Sequence, residues 1–483
     1  MKEITELSIS ELQEAVKKGE LTYSDIFEFT AKRIIEEEKE VRGYISLFLE
    51  EAREQAKKAD KERNNTLPLA GIPLAIKDNI AVKDKPLTCG SKILSNFISP
   101  YDATVVKRLK SAGCLVLGKT NLDEFAMGSS NETSYFGPVR NPIDKERVPG
   151  GSSGGSAAVV KYGGAIAALG SDTGGSIRQP AAFCGVCGLK PTYGRVSRFG
   201  LVAFASSLDT IGPIARTVED CALILQIIAG YDERDATSVP LPTERYLPLT
   251  GKIRDLTIGV AKEFFTSALS PKIKTVIEEA ITELGKVSKG VKVISLPHLP
   301  YSAACYHLIA MAEASSNLAR YDGVRYGYRT QVHTEEFKKI AQYEDPLQVF
   351  YEKTRGEGFG RETKRRIIIG TFGLSKGYYE EYYGLGVKVR GLIKGDFLSA
   401  FQEVDVILGP TTPTVAFKLG EKKDPLAMYL SDIFTSIANL AGLPAISVPC
   451  KRKVDNLPVG LQIIGKPCAE KEILEVAFAY ERL

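Results

Sequence analysis

Apolar residues recur with helical spacing through the first sixty residues of the chain. In "SISELQEAVKKGE" they fall on one face of a helix, with Ser8 or Ser10 as the N-cap, and "SDIFEFTAKRIIEEEKE" repeats the pattern. The run "YISLFL" that follows has the composition of a strand, and "EEAREQAKKADKER" has that of a charged helix. The segment 1–60 is therefore predicted to be mainly helical.

Beyond this segment, helical patterns alternate with short apolar runs. "PLAGIPLAIKDNI" contains an apolar run that ends at Lys77, and "DATVVKRLKSAGCLVLGKTN" has the pattern of a helix, a glycine turn and a buried strand. Near the C-terminus, "VDVILGPTTPT", "PAISVPC" and "PVGLQIIGK" again indicate strands. This alternation predicts an α/β fold with a mixed central β-sheet covered by helices on both faces.

The density of small and charged residues divides the chain further. Residues 150–215 are rich in Gly, Ser and Ala, whereas 265–400 are richer in charge and in helical patterns. We expect 61–240 to form the catalytic core and 265–400 a helical elaboration. The strands of 401–483 are expected to rejoin the first sheet.

Bulk properties exclude several classes of protein. The net charge of +4 over 483 residues is too small for nucleic-acid binding driven by charge alone. The start "MKEITELSISELQ" lacks the apolar region of a secretory signal, and no run of roughly eighteen apolar residues is present. Eight cysteines in so long a chain do not suggest a disulfide framework. We expect a cytoplasmic protein that does not engage a membrane.

Two short motifs match known patterns without their usual context. "GCLVLGKT" at 113–120 fits the P-loop pattern, but its variable positions are those of a buried strand rather than of a phosphate-binding loop. "CGVC" at 184–187 fits C-x-x-C, but no second ligand pair and no thioredoxin-like context accompany it. We expect a strand in the first case and two packed thiols in the second.

Histidine is scarce in this sequence. The three present are His298, His307 and His333, and none lies in a cluster with metal-ligand spacing. A His-based triad or a zinc hydrolase is therefore poorly supported, and no metal site is expected.

The tract "GGSSGGS" at 150–156 poses the main question of interpretation. By composition such tracts are more often flexible linkers. This one is followed by a small-residue helix, a short buried strand and a second cluster, "SDTGGSIRQP", in which Ser176 follows Thr173, Gly174 and Gly175. Tight glycine turns can direct backbone N–H groups into one space and hold an oxyanion, and a serine at the end of such a turn can attack the carbonyl carbon.

A serine nucleophile needs a base, and a neutral lysine can serve. Lowering a lysine pKa from about 10.4 to ~7.5 costs roughly 4 kcal/mol, which burial can impose. Lys77 ends an apolar run, and Ser152 could relay the proton between Lys77 and Ser176. Periodicity does not show that the three meet, so from the residues alone the catalytic set and the flexible connector both stay open.

Longer motifs carry a family resemblance. "GIPLAIKDNI", "GKTNLDEFAMGSS", "VPGGSSGGSAA", "GSDTGGSIRQPAAFCGVCGLKPTYGRVSRFGL" and "SLDTIGPIART" resemble the amidase signature family in order and spacing. The resemblance implies one amidase domain over 1–483. It implies Ser176 as the acyl-ester nucleophile, Ser152, preceded by a cis peptide bond, as the proton relay, and Lys77 as the base. It also implies an oxyanion hole formed by the backbone N–H groups of Thr173, Gly174, Gly175 and Ser176.

Within that family, five further stretches resemble the glutaminase subunits of tRNA-dependent amidotransferases: "AEASSNLARYDGVRYGYR", "KRRIIIGTFGLSKGYYEEYY", "VDVILGPTTPTVAF", "YLSDIFTSIANLAGLPAISVPC" and "LPVGLQIIGK". The resemblance implies that glutamine is hydrolysed to supply ammonia, which converts misacylated Glu-tRNA(Gln) to Gln-tRNA(Gln). Whether Asp-tRNA(Asn) is also a substrate stays open. B and C subunits would complete a heterotrimer. The B subunit would hold most of the tRNA and use ATP and Mg²⁺, so this chain is expected to need no cofactor. The alternative is a free-standing amidase that acts on small or acyl amides.

Glutamine carries an α-ammonium and an α-carboxylate, so its site needs both charges. The resemblance assigns Asp432 to the ammonium and an arginine of "KRRIIIG" to the carboxylate, for which we choose Arg365 over Arg366. Charge patterning alone favours a solvated helix face for "KRR", and Asp432 alone could be a helix N-cap. The backbone around three residues is expected to form another wall: Met127, Gly128 and Ser129.

Overall fold

The computed structural model describes residues 4–62 and 66–483. Residues 1–3 and 63–65, which fall within the predicted segments 1–60 and 61–240, lie outside the described residues. The described residues form these strands: β1 (Tyr44–Leu47), β2 (Pro73–Lys77), β3 (Leu115–Thr120), β4 (Ala167–Asp172), β5 (Cys187–Lys190), β6 (Thr210–Ala215), β7 (Thr257–Ala261), β8 (Gly290–Ile294), β9 (Val406–Pro410), β10 (Ala445–Pro449) and β11 (Gly460–Gly465).

The same residues form α-helices before, between and after the strands. In chain order they are α1 (Ile9–Lys18), α2 (Tyr23–Val41), α3 (Leu49–Glu62), α4 (Thr104–Ser111), α5 (Gly154–Tyr162), α6 (Arg178–Cys184), α7 (Val218–Ile228), α8 (Pro271–Gly285), α9 (Ser302–Asn317), α10 (Glu335–Ile340), α11 (Pro346–Gly358), α12 (Arg361–Gly373), α13 (Leu385–Ala400), α14 (Pro425–Tyr429), α15 (Ser436–Ala441) and α16 (Glu470–Arg482). None of these helices is both long and apolar enough to cross a membrane.

The strands join into one sheet with the order β1-β3-β2-β4-β6-β5-β10-β11-β9-β7-β8. The sheet is mixed: β2 pairs in parallel with β3 and β4, whereas β4 pairs antiparallel with β6. Antiparallel pairing of β10 with β5 brings the C-terminal strands into the sheet begun by the N-terminal half. The predicted mixed α/β architecture is confirmed.

Both faces of the central strands are buried. Successive residues of a strand point to opposite faces. In β2, Leu74 and Ile76 pack into one apolar cluster, whereas Ala75 packs into another that includes Phe27 of α2 and Val159 of α5. Burial on both sides explains why the central strands appear in the sequence as continuous apolar runs.

The region 265–400 is largely helical, from α8 to α13, but it also contains β8. This strand was not expected, because its sequence "GVKVI" leaves Val291 and Val293 exposed, at 43% and 78%, at the edge of the sheet. An edge strand of this kind lacks the alternation of buried and exposed residues that would have indicated it.

The two discounted motifs form ordinary packed structure. Residues 115–120 of the P-loop match form β3, and Lys119 Nζ donates to Asp78 Oδ1 at 2.8 Å and to the Pro86 carbonyl at 3.0 Å. Cys184 ends α6 and Cys187 begins β5, and both thiols are free and buried. The expectation of a strand and of two packed thiols is confirmed.

Candidate active site

Lys77 lies at the end of β2 and is completely buried. Its Nζ donates to Ser152 Oγ at 2.7 Å, to Ser153 Oγ at 2.8 Å and to Ser171 Oγ at 2.9 Å. Burial lowers the pKa of Lys77 to about 7, against the opposing effect of nearby carboxylates, of which Asp123 is the strongest. The amine can therefore lose its proton near neutral pH and act as a base.

The Gly/Ser tract is tightly packed rather than flexible. Residues 150–156 are all buried, and α5 begins within the tract at Gly154. A Cβ on Gly151 would lie 2.1 Å from Asp123 Oδ2, and one on Gly155 would lie 2.4 Å from the Asn121 carbonyl. The glycines are needed because other chain segments approach closely, so the linker interpretation is wrong.

The structure brings the two Gly/Ser clusters together. The Gly151–Ser152 peptide bond is cis, as the family resemblance implies. The next amide, that of Ser153, donates to the carbonyl oxygen of Ser176 at 3.1 Å. Ser152, which contacts Lys77, is thus held beside Ser176, which is 6% exposed.

The turn before Ser176 is organised by Asp172, the last residue of β4. The Asp172 carboxylate accepts the N–H groups of Gly175 at 2.8 Å and of Ile177 at 3.1 Å. Gly175, with φ of +137°, allows the turn. Of the four amides expected in the oxyanion hole, that of Gly175 is therefore already bound. In the described part of the chain the N–H groups of the other three have no acceptor: Thr173, Gly174 and Ser176.

Asp172 is in turn bound to Arg178, and sequence reasoning missed this buried pair. The Arg178 Nε and Nη2 atoms each lie 3.0 Å from an oxygen of Asp172. Burial alone would raise the pKa of Asp172, but the charge and hydrogen bonds of Arg178 outweigh it and hold this pKa at about 2. A charged pair within a stretch of small residues, "SDTGGSIR", was the signal available in the sequence.

A cavity of about 250 Å³ lies between α12 and the segment 128–133, and its lining does not include Lys77, Ser152 or Ser176. The residues that line this cavity include Gly128, Ser129, Glu362, Arg365, Arg366 and Tyr429. Gln179 links the cavity to the serines, since its Nε2 donates to the Ser129 carbonyl at 2.7 Å and its Oε1 accepts the Gly151 N–H at 2.9 Å. Met127, the third expected wall residue, is fully buried behind this wall.

Asp432 is buried beside the cavity wall. It accepts a hydrogen bond from Ser129 Oγ through Oδ2, whereas Oδ1 has no partner within residues 4–62 and 66–483. Burial raises the pKa of Asp432 to about 7. The residue does not cap the following helix, because the N-cap residue of α15 is Thr435. An unpaired buried carboxylate oxygen is suited to receive a cationic group.

Both candidate arginines of α12 line the cavity, but their surroundings differ. The Arg365 side chain is 32% exposed and pairs with Glu362 Oε2. The Arg366 side chain is 4% exposed, donates from Nε to Glu362 Oε1 at 2.9 Å, and lies 5.2 Å from the ring centre of Tyr429. A solvated helix face is thus the wrong interpretation for Arg366, and burial favours it over Arg365 as the cation that meets a ligand.

Sequence reasoning also missed two tyrosines and a glutamate near the site. Tyr429 donates to Glu362 Oε1 at 2.8 Å, so Glu362 is held by Tyr429 and by both arginines. The ring of Tyr306 covers Gly174, where a Cβ would lie 2.4 Å from Tyr306 Cζ.

Within the described residues no group of three or more His, Cys, Asp or Glu side chains is arranged to hold a metal ion.

Comparisons with known proteins agree with this site. The family model described as Amidase matches residues 25–474. The chain is 56% identical to the A subunit of glutamyl-tRNA(Gln) amidotransferase from Sulfurihydrogenibium sp. (strain YO3AOP1), over 100% of this chain and 98% of that protein. It is 55% identical to the protein of the same name from Geobacillus kaustophilus (strain HTA426), over 98% and 96%.

Solved structures lead to the same family. The crystal structure of the A subunit of glutamyl-tRNA(Gln) amidotransferase from Thermotoga maritima has a TM-score of 0.81 at 43% identity and covers 100% of this chain and 96% of its own. Native peptide amidase from Stenotrophomonas maltophilia has a TM-score of 0.81 at 31% identity, with coverage of 99% and 96%. The resemblance inferred from the motifs is confirmed: the chain belongs to the amidase signature family.

Proposed function

We propose that this chain hydrolyses glutamine and is the ammonia-supplying component of a tRNA-dependent amidotransferase. The observation that carries the proposal is the contact between the buried amine of Lys77 and Ser152 Oγ at 2.7 Å, beside Ser176. Full-length identity of 53–56% to A subunits of glutamyl-tRNA(Gln) amidotransferases supports glutamine as the substrate.

In the proposed reaction, Ser176 Oγ attacks the side-chain amide carbon of glutamine and forms a C–O bond. Its proton passes to Ser152, whose own proton passes to the neutral amine of Lys77. Negative charge on the amide oxygen is stabilised by the N–H groups of Thr173, Gly174 and Ser176, which find no acceptor among the described residues.

The tetrahedral intermediate then loses its amine. The proton held by Lys77 returns through Ser152 to the departing nitrogen, the C–N bond breaks, and ammonia leaves the acyl-enzyme ester on Ser176. Water, deprotonated by the same relay, hydrolyses the ester to glutamate and restores Ser176. A lysine with a pKa near 7 suits both directions of this transfer.

The cavity supports recognition of an α-amino acid. Asp432 Oδ1 would accept the α-ammonium, and that charge would return the carboxyl group to its ionised form. We assign the α-carboxylate to Arg366 rather than to Arg365, because Arg366 is buried and oriented by Glu362. Ser129 completes the wall by donating to Asp432.

The proposed partners follow from the relatives, which are the A subunits of multi-subunit enzymes. B and C subunits would complete a cytoplasmic heterotrimer. The B subunit would bind misacylated Glu-tRNA(Gln), activate its glutamate carboxylate with ATP and Mg²⁺, and receive the ammonia. This chain would bind neither ATP nor a metal.

The test measures glutamate and ammonia release from glutamine by the chain, alone and with B and C subunits, ATP and Glu-tRNA(Gln). Ser176→Ala is expected to lose about a thousandfold or more of the activity, and the partners and tRNA are expected to raise it. A lone chain that hydrolyses simple amides, in a complete mixture that leaves glutamine intact, would instead mean a free-standing amidase.

A further inference from the structure

Glu124 is a buried carboxylate that the proposed mechanism does not use. The residue is 3% exposed. It accepts the N–H of Gly360 at 3.1 Å on Oε1 and at 2.9 Å on Oε2, and Thr363 Oγ1 donates to Oε2 at 2.6 Å. Ser91 Oγ donates to Oε1. All four polar contacts are donations to the carboxylate, so its position is fully specified.

One side of this contact fixes α12. Gly360 is the N-cap residue of that helix and has no side chain with which to cap it, so Glu124 supplies the acceptor from a distant part of the chain. Negative charge at a helix N-terminus is also electrostatically favourable. A Cβ on Gly360 would lie 2.4 Å from Glu124 Oε2, which shows how close the two segments are. The helix carries Arg366 into the cavity.

The other side of the contact fixes the opposite wall of the cavity. Glu124 begins the short 3₁₀ segment Glu124–Ala126, in which Phe125 and Ala126 have φ values of +50° and +63°. Few non-glycine residues adopt this region, so the surrounding structure must hold the segment in place. The segment leads directly to Gly128 and Ser129, which line the cavity opposite α12.

We propose that Glu124 is a positioning residue that sets the substrate range of the cavity. By capping α12 it fixes the distance between Arg366 and the opposite wall, where Ser129 lines the cavity and donates to the buried Asp432. The site then selects amides that carry both an α-ammonium and an α-carboxylate. This inference rests on the proposed function, because it takes Arg366 and Asp432 as the groups that bind those charges.

Glutamine and butanamide distinguish this role from general support of the fold. Butanamide has the same reacting amide and the same alkyl chain but neither α-charge, so it makes no use of Arg366 or Asp432. Loss of Glu124 should therefore weaken glutamine binding and leave butanamide turnover nearly unchanged.

The experiment compares Glu124→Ala and Glu124→Gln with Asp220→Ala in the full chain assembled with its partner subunits. Asp220 is the matched control, because it is 1% exposed and accepts the first-turn N–H of Ile9 at 2.8 Å. Ile9 is the first residue of α1, a helix that contributes no residue to the cavity. Thermal unfolding of each variant measures the stability cost separately from catalysis.

We expect Glu124→Ala to raise KM for glutamine about tenfold or more, and to change kcat/KM for butanamide by less than about twofold. Glu124→Gln should recover only part of the loss. Its Oε1 can still accept from Ser91 Oγ and from the Gly360 N–H, but its Nε2 replaces an oxygen that also accepts that N–H and the Thr363 hydroxyl. Asp220→Ala should lower the unfolding temperature without separating the two substrates, because it removes the acceptor of the Ile9 N–H.

Equal losses of kcat/KM for glutamine and for butanamide in Glu124→Ala, or the same change in selectivity in Asp220→Ala, would overturn the inference. If the wild-type protein hydrolyses glutamine and Glu124→Ala does so with an unchanged KM, this inference is wrong and the proposed function still stands. A wild-type complex that hydrolyses butanamide but not glutamine would overturn the proposed function itself.

Discussion

At the scale of single residues, the burial of Lys77 sets the pH at which the proposed reaction can run. A protonated amine cannot accept the serine proton, and the pKa of Lys77 is lowered by burial to about 7. We expect kcat/KM for butanamide, which makes no use of Asp432, to rise with pH and to reach half its plateau near pH 7. A pH–rate profile of the wild type measures this, with Lys77→Met as the inactive control. A flat profile from about pH 6 to 8 would contradict the role of Lys77 as the base.

The same pKa has a consequence for stability. The pKa of Lys77 is about 7 in the folded chain and about 10.4 in the unfolded chain. At a pH between these two values the unfolded state binds one proton more at Lys77, so the free energy of unfolding rises with pH in that window. Lys77→Met removes the effect. We expect the difference in the free energy of unfolding, wild type minus Lys77→Met, to increase by about 1.4 kcal/mol for each pH unit inside the window.

Urea unfolding of both proteins at several pH values in that window measures the difference. Lys190 is also buried with a pKa lowered to about 7, but it is present in both proteins and cancels. Parallel stability curves for the two proteins would mean that Lys77 is not desolvated as the structure shows.

The sequence indicated the residues with distinctive local surroundings and missed those defined by distant contacts. Ser176 and Lys77 stood out because of a glycine turn and an apolar run beside them. Glu362 and Tyr429 lie 67 residues apart and meet only in the folded chain, so no local pattern connects them. The sequence could not separate Arg365 from Arg366 by burial, because adjacent residues of a helix differ in what packs against them; both line the cavity, and Arg365 stays a prediction.

At the scale of elements, the packing of α12 on α9 positions the cavity arginines. A Cβ on Gly370 of α12 would lie 1.9 Å from the Met311 carbonyl of α9, so the two helices cannot keep their spacing with a larger residue. We expect Gly370→Ala to cost about 1–3 kcal/mol of unfolding free energy through this clash. It should also raise KM for glutamine, because α12 moves together with Arg366.

Gly391→Ala is the control for this change. Gly391 lies within α13, and nothing comes within 4 Å of a Cβ placed there. Alanine is the better helix former, so this variant should gain about 0.4–1 kcal/mol and keep its kinetics. Denaturant unfolding and glutamine kinetics of both variants provide the measurements. A stable Gly370→Ala protein with wild-type KM would show that α12 does not set the cavity.

Helices and strands were predicted where the sequence has a clear hydrophobic periodicity or a helix N-cap residue. Ser8, one of the two expected caps of α1, forms a capping box with Glu11. The exposed edge strand β8 had no such signal. The order of strands in the sheet lies beyond periodicity altogether, because the pairing of β5 with β10 joins segments from opposite halves of the chain.

At the scale of the whole molecule, Arg178 joins the N-terminal and C-terminal parts of the fold. It binds Asp172 of β4, the Thr435 carbonyl at 2.9 Å, Asn439 Oδ1 at 2.7 Å and Gln462 Oε1 at 2.6 Å. The guanidinium thus connects the turn before Ser176 with the segment that carries Asp432. The predicted return of the C-terminal strands to the sheet depends on this buried junction as well as on strand pairing.

Arg178→Met leaves Asp172 buried without its cation, and breaking a buried pair in this way costs about 3–5 kcal/mol. Arg452→Met is the matched control, because Arg452 is 61% exposed and pairs with Glu279 at 2.6 Å, an interaction worth at most about 1 kcal/mol. Urea unfolding of both variants measures the two costs, and glutamine hydrolysis should fall only in Arg178→Met. Similar small costs would mean that water reaches Asp172 once Arg178 is gone. In that case the turn before Ser176 would be held by the Asp172–amide hydrogen bonds alone, without the link to the C-terminal segment.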